Sequence, residues 1–215
     1  MKTGAFILGL VVILGFSGLA EAQEVPPAHR GIQLALRTGY AAELGNVAQG
    51  VKMSQATGGQ VPFIVDVGGK PIPELFLGGY FGFGFGGEAG EFRQLCDGNG
   101  GGCISADVFF GIEAQYQILP AASADPWFGY GVGFESLALG ASSNGGSATG
   151  LGGIQFARLS GGVDFRLSRT FGVGPFADFS LGKYSSISVG SSSEDIPSTS
   201  THEWLTIGAR FVFFP

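Results

Sequence analysis

Charged residues are scarce in this 215-residue chain. They make up 13% of it, about half of the roughly 25% that is typical of soluble globular proteins. Acidic residues outnumber lysine and arginine, and the formal net charge is −6. Nucleic-acid binding depends on basic side chains that neutralise phosphates, so this balance argues against a nucleic-acid partner. The chain also has too few charges to cover an ordinary water-facing surface.

Long apolar runs are absent after residue 22, where none approaches the about 20 residues that a membrane-spanning helix needs. The N-terminus is different, because Lys2 is followed by an apolar stretch over 5–14 and then by Ala20-Glu21-Ala22, a small-x-small cleavage pattern. The sequence thus predicts a signal peptide over 1–22, a short segment over 23–30 and one domain over 31–214. A membrane-anchor helix at 1–22 is the alternative, for which the apolar run is short.

Cysteine and histidine each occur only twice. In an exported chain two cysteines favour a disulfide, and we expect one between Cys96 and Cys103. The segment that begins between them does not have the pattern of a calcium-binding loop, since Val108 stands at the twelfth position, where such a loop requires a glutamate. Residues 82–87 formally match G-x-G-x-x-G, but no helical pattern follows them. The sequence therefore predicts no metal site and no cofactor.

Glycine and phenylalanine are abundant instead, at 40 and 20 residues. Apolar residues recur with a period of two, which is the spacing of a strand whose alternate side chains point to opposite faces. The pattern covers eight segments, at 32–40, 61–67, 75–85, 106–118, 128–135, 157–167, 171–181 and 205–213. It predicts an all-β fold, an eight-stranded antiparallel up-and-down transmembrane β-barrel.

The opposite parity of these segments carries glycine, serine, glutamine and all of their charged residues. The charged set is Arg37, Asp66, Asp107, Glu113, Glu135, Arg158, Asp164, Arg166, Asp178 and Arg210. Buried charges must be paired and hydrogen-bonded, so we expect an ionic network inside the barrel. A soluble barrel with its apolar face inward alternates in the same way. Its wet face, however, would carry the lysine and glutamate that keep such a surface soluble.

The connections between the segments alternate in length. Those at 68–71, 120–125 and 168–170 are short, whereas those at 41–60, 88–105, 138–150 and 185–200 are long and rich in glycine and serine. Outer-membrane barrels have short periplasmic turns and longer outer loops. With segment 23–30 in the periplasm, all four long connections fall on the outer side. The sequence therefore predicts an outer-membrane location.

The last segment carries the most specific pattern, with apolar residues at alternate positions of 205–214 and aromatic residues at its end. In this pattern and in its alternation over 31–214, the chain resembles the small OmpA/OmpX-type outer-membrane barrels. The resemblance implies that Phe211, Phe213 and Phe214 form the C-terminal signal for the barrel-insertion machinery. Pro215 departs from it, because an aromatic residue usually ends such chains. Outer-membrane lipid is the implied surrounding.

No catalytic constellation stands out, and no enzymatic activity is expected. His202 lies close to Glu203 and Ser200, which is superficially similar to the rim site of a lipid A deacylase, but a His-x-Ser motif is missing. Trp127 and Trp204 take the inward parity, unlike tryptophans of a membrane girdle. We expect a structural or surface-interaction role, with a plugged interior and four outer loops that contact a ligand. A small-solute channel and a lipid A-modifying enzyme are the alternatives.

Overall fold

The computed structural model describes residues 28–87, 103–141, 149–189 and 192–215. The predicted signal peptide over 1–22, Cys96 and the side chain of Cys103 lie outside the described part of the chain, so the disulfide stays a prediction. Among the residues described, no helix combines the length and the hydropathy that crossing a membrane requires.

Eight long strands form one closed antiparallel sheet. They are β1 (Gly31–Ala48), β3 (Gln60–Ile72), β4 (Leu75–Gly86), β5 (Cys103–Gln117), β6 (Ala124–Ala141), β7 (Thr149–Arg166), β8 (Phe171–Val189) and β10 (Thr201–Phe213). Each pairs with the next along the chain, and β10 pairs with both β8 and β1, which closes the ring. The short strands β2 (Val51–Lys52) and β9 (Ser192–Asp195) and the one-turn helix α1 (Met53–Ala56) lie in connections. The predicted eight-stranded up-and-down barrel is confirmed.

The connections define two ends of the barrel. The turn end holds the links between β3 and β4, between β5 and β6, and between β7 and β8. Both chain ends of the described barrel meet there, since the rings of His29 and Phe214 lie 4.8 Å apart. The loop end holds the other connections, including β2, α1 and β9.

Several strands extend further than the sequence pattern predicted. At the loop end, β1 continues to Ala48, β6 to Ala141 and β8 to Val189, while β7 begins at Thr149. The predicted long connections at 41–60, 138–150 and 185–200 are therefore too long, and the predicted turn at 68–71 is part of β3. The backbone pairing continues where the outward residues become glycine and serine, so the apolar alternation stops before the strand does.

A bulge in β7 explains why the sixth predicted segment started late. The pairing register with β8 shifts between Gln155 and Ala157. A bulge inserts one extra residue and so changes which parity points inward. Leu151 and Gln155 are buried before it, whereas Arg158 and Ser160 are buried after it. On the loop-end side the alternation continues with the opposite parity, since Ile154 and Phe156 are exposed there.

The apolar parity faces outward and the polar parity faces the lumen. Phe81, Phe128 and Ile207 each leave half or more of their surface exposed outside the barrel. Inside, glycines make room for large side chains. A Cβ atom at Gly111 or Gly133 would lie 2.6 Å from the Tyr80 hydroxyl oxygen, so only glycine leaves space for that ring.

Candidate functional site in the barrel lumen

All ten charged residues assigned to the interior point into the lumen and are buried there. They are Arg37, Asp66, Asp107, Glu113, Glu135, Arg158, Asp164, Arg166, Asp178 and Arg210. Lys70 and Asp125, which the sequence pattern placed in turns, are buried with them. The strands determine these positions. Each of these residues points inward and lies next to a residue of a paired strand that also points inward.

These buried charged residues form an ionic layer, and Arg37 lies at its centre. Its guanidinium group bonds Asp66, lies 3.2 Å from Glu113 Oε2 and lies 3.1 Å from Asp178 Oδ2. These three carboxylates come from β3, β5 and β8, so one side chain connects strands on several sides of the lumen. All four side chains are almost completely buried. Multiple hydrogen bonds to ionised partners are what make a buried charge tolerable.

The layer continues toward the turn end through Arg210. Its guanidinium donates to Asp164 Oδ2 at 3.0 Å and to Gln115 Oε1 at 2.8 Å. The amide nitrogen of Gln115 donates in turn to Glu113 Oε1 at 2.7 Å, which links Arg210 to the Arg37 cluster. The guanidinium carbon of Arg210 also lies 4.1 Å from the Trp127 ring centre, close enough for a cation–π contact.

Arg158 connects the layer to aromatic side chains. Its Nε donates to Asp178 Oδ2 at 2.8 Å, and its guanidinium lies 4.9 Å from the Tyr80 ring centre and 4.7 Å from that of Phe109. A cavity of about 20 Å³ beside Arg158 and Asp107 has the size of a single water site. Asp107 Oδ1 has no hydrogen-bond partner among the described protein groups, so a water bound here would satisfy it.

Glu135 forms a second cluster nearer the loop end. Its carboxylate accepts hydrogen bonds from the Tyr184 hydroxyl at 2.8 Å, from Trp204 Nε1 at 2.9 Å and from Gln155 Nε2 at 3.3 Å. His202 Nε2 lies 3.2 Å from the same carboxylate, and its ring stacks on Tyr184 with centroids 3.9 Å apart. The Tyr80 hydroxyl donates to Gln155, which connects this cluster to Arg158.

An apolar layer follows beyond Glu135 toward the loop end. Met53, Leu137, Leu139, Leu151 and Val47 are buried together with Tyr184 and Trp204. Met53 and Leu137 have no exposed surface at all. Met53 comes from α1, so this helix contributes a buried side chain to the apolar layer. Within the described residues, the lumen therefore contains an ionic layer covered by an apolar layer.

No protein-family model and no curated protein sequence matches the chain. Solved structures do match. Neisserial surface protein A has a TM-score of 0.50 at 11% identity, with 86% of this chain and 97% of that chain covered. The outer-membrane protein OprG from Pseudomonas aeruginosa has a TM-score of 0.49 at 14% identity, with 87% and 99% covered. The chain has the architecture of the small OmpA/OmpX-type outer-membrane barrels. Identities this low establish the fold alone.

Within this barrel architecture, His202 does not occupy the place that a rim enzyme would need. Only 1% of its surface is exposed, and the ring lies in the lumen against Tyr184 and Glu135. The resemblance to a lipid-facing deacylase site is therefore wrong in its geometry. Trp127 and Trp204 keep the inward parity that the sequence indicated, and both are buried in the lumen rather than in a girdle.

The C-terminal aromatic residues of this barrel divide between its two faces. Phe211 and Phe213 point outward, whereas Phe214 is buried at the turn end. The ring of Phe214 lies 5.7 Å from Lys70 Nζ and 5.3 Å from the Arg166 guanidinium. Their role as an insertion signal stays a prediction.

Parity alone would have found some of the residues that the sequence reasoning missed. His202 shares the inward parity of Arg210, and Tyr184 shares that of Asp178. Extending these two segments toward the loop end would have placed both side chains inside. Lys70 and Asp125 needed the true strand ends, and Met53 belongs to a connection without a periodic signal.

Proposed function

We propose that the protein is an integral outer-membrane barrel whose lumen is sealed, and that it acts as a structural or surface-interaction element rather than as an enzyme or an open channel. The observation that carries this proposal is the Arg37 cluster, in which one buried side chain connects carboxylates of three other strands across the lumen. An eight-stranded barrel has an interior just wide enough for side chains to fill.

The outward surface supports the membrane location. On β10, the apolar outward residues run from Leu205 to Phe213, which matches the about 9–11 tilted residues of a membrane-spanning strand. Soluble monomers rarely expose continuous apolar patches larger than a few hundred Å². In a membrane, lipid chains contact this surface, so that its exposure stabilises the barrel instead of promoting aggregation.

The two ends of the barrel support an orientation. The short turns and both barrel termini share one end, which we assign to the periplasm. The other end then carries four connections on the outer side, where they are placed to contact a surface ligand. The insertion machinery meets the chain during assembly, with Phe211 and Phe213 outward on the last strand.

Cell fractionation tests the location. We expect the protein in the outer-membrane fraction, with a shift between boiled and unboiled samples on a gel because the folded barrel resists detergent. Recovery in the soluble periplasmic fraction without detergent would contradict the proposal.

Lipid A mass spectra test for enzymatic activity. The spectra with and without the protein, and with His202→Ala, are expected to be identical; a change that requires His202 would instead support an enzyme.

Single-channel recording in planar bilayers tests the seal. The wild-type barrel is expected to give no steady conductance above the protein-free membrane. The seal has two layers in series, so the double variant Arg37→Ala/Leu137→Ala is expected to conduct more than either single variant. Leu159→Ala, a change on the outward face, is the matched control and should resemble the wild type. Steady wild-type currents would favour the small-solute channel.

A further inference from the structure

A cavity of about 340 Å³ opens at the loop end, beyond the apolar layer. Its walls include Val51 of β2, Ile187 of β8 and Ile196, which follows β9. Its floor includes Leu139 and Leu151. We call this cavity the outer cup. Five strands and the segment that follows β9 contribute to it, so it depends on the folded loop end and not on one segment.

The floor of the outer cup is closed toward the lumen. Leu139 and Leu151 belong to the buried apolar cluster that also contains Met53 and Leu137. Beyond that cluster lies the hydrogen-bonded carboxylate of Glu135. A molecule held in the cup would therefore rest on a packed apolar floor, separated from the ionic layer, with access from the loop end.

The lining selects an apolar occupant. Thr149 is the one lining side chain that carries a polar atom among those the structure describes. A charged or strongly polar molecule would lose hydration without gaining partners, which is unfavourable. An engineered cavity of about 150 Å³ with a comparable lining binds benzene. The outer cup has about twice that volume, which suits a compact hydrocarbon of about two fused rings.

On β6 and β8 the cup lies beyond the apolar outward residues. On β6 the outward apolar residues end at Phe134, and the next outward residues are Ser136 and Ala138. On β8 they end at Leu181, followed by the exposed Lys183. On these two strands the outward surface is therefore no longer apolar at the level of Leu139, whereas on β5 the exposed Ile104, which pairs with Gly140, continues it.

The sequences of the connections that join the strands at the loop end contain few side chains that match the cup. Residues 142–148 read Ser-Ser-Asn-Gly-Gly-Ser-Ala, and residues 190–191 are Gly-Ser. The connection 88–102 carries two large apolar residues, Phe92 and Leu95. Composition thus favours an occupant from outside the chain, with Phe92 and Leu95 as the internal competitors.

We infer that the outer cup binds a small apolar molecule, of the size of a two-ring hydrocarbon, from the outer side of the membrane. The inference goes beyond the proposed structural role and does not depend on whether the lumen conducts. The bound molecule stays in the cup and does not pass into the lumen, because the floor separates the two.

Isoleucine-methyl NMR of the barrel in lipid nanodiscs, titrated with naphthalene, tests this inference. The methyl signals of Ile187 and Ile196 are expected to shift and to saturate. Ile64, which is buried in the lumen, should stay unchanged. Ile207 faces the lipid and should change only linearly, as naphthalene partitions into the bilayer.

Variants separate the cup from its surroundings. Ile187→Glu places a charge in the wall and is expected to weaken binding by about tenfold or more, read at Ile196. The matched control is Val189→Glu on the same strand, which is exposed and does not line the cup, and it should retain wild-type affinity. Thr149→Val removes the hydroxyl and should also retain binding. A gel of unboiled samples verifies that each variant folds.

Three outcomes would overturn the inference. The first is an Ile187 and Ile196 response that is only linear, like that of Ile207, because it would report partitioning and no site. The second is loss of naphthalene binding in Thr149→Val, because a more apolar lining should not weaken the binding of a hydrocarbon. The third is naphthalene binding that appears only after Phe92→Ser/Leu95→Ser, because it would assign the cup to the chain's own connection.

Discussion

The two halves of β6 have opposite patterns. Around Arg37 the inward side chains are charged and the outward ones are apolar, whereas on β6 around Leu137 the inward side chains are apolar and the outward ones are small or polar. The neighbouring strand β5 does not reverse, since Asp107 beside Leu137 is still inward and Ile104 is still exposed. The change happens on one strand, β6, between Phe134 and Leu137. On β6 the apolar face changes with what lies outside the strand, which is lipid in one half and water in the other. The same sheet thus continues from a membrane barrel into a barrel end with a conventional apolar core.

Removal of Arg37 should have the largest effect on this comparison. Arg37→Ala leaves Asp66, Glu113 and Asp178 facing one another without their shared cation. We expect the free energy of unfolding to fall by about 3–5 kcal/mol, the range for breaking a buried ion pair. Urea unfolding in phospholipid vesicles measures it. The outward neighbour variant Leu36→Ala should have a smaller effect, and equal losses would remove Arg37 from its central role.

Truncation in the apolar layer should be next. Leu137 has no exposed surface, so Leu137→Ala is expected to lower the free energy of unfolding by about 2–5 kcal/mol through lost burial and the cavity left behind. Leu159→Ala on the outward face is the control, where lipid chains fill the space and the loss should be smaller. If the two variants lose the same amount, the loop-end half does not have a packed core.

Neutralising Glu135 should have an intermediate effect at the boundary between the halves. Glu135→Gln keeps the shape but weakens the hydrogen bonds from Tyr184 and Trp204, for an expected loss of about 1–3 kcal/mol. Trp204 is one of only two tryptophans, both in the lumen, so its emission should change as well. Glu203→Gln, which is only partly buried, serves as the control. An unchanged emission spectrum would contradict the bond to Trp204.

The smallest effect is expected at the turn end. Phe214→Leu removes a ring that lies over Lys70 and near Arg166, and should lower the free energy of unfolding by about 1 kcal/mol. Phe213→Leu changes an outward residue and should leave stability nearly unchanged while slowing assembly, because it belongs to the predicted insertion signal. Normal assembly rates in Phe213→Leu cells would argue against that signal.

The sequence predicted the membrane half of the barrel better than the loop-end half, for a physical reason. In the membrane half, lipid lies outside the barrel and charged side chains lie inside it, which keeps the period-two contrast strong. Arg37, Asp178 and Arg210 were therefore assigned to the inward face. On β6 the contrast reverses beyond Phe134, and a pattern that expects apolar residues outward stops at Glu135. The extended ends of β1, β6 and β8 were consequently assigned to loops.

Other features depend on tertiary contacts that no local pattern carries. The bulge at Gln155 shifts the parity of β7 by one residue, which a strict alternation cannot absorb. Met53 lies in a four-residue helix within a polar connection, and only the closure of the loop end buries it. Lys70 and Asp125 lie where glycine and proline indicated turns, although the strands reach past those residues.

Spin-label accessibility along β6, from Phe128 to Leu139, tests the central claim most directly. Labels at Phe128, Tyr130 and Phe134 should be accessible to oxygen dissolved in lipid, and labels at Ser136 and Ala138 to a water-soluble quencher, with Leu137 and Leu139 shielded from both. Quenching from the water phase at Phe128 and Phe134, or oxygen access at Leu137, would contradict the reversal of faces on which this account depends.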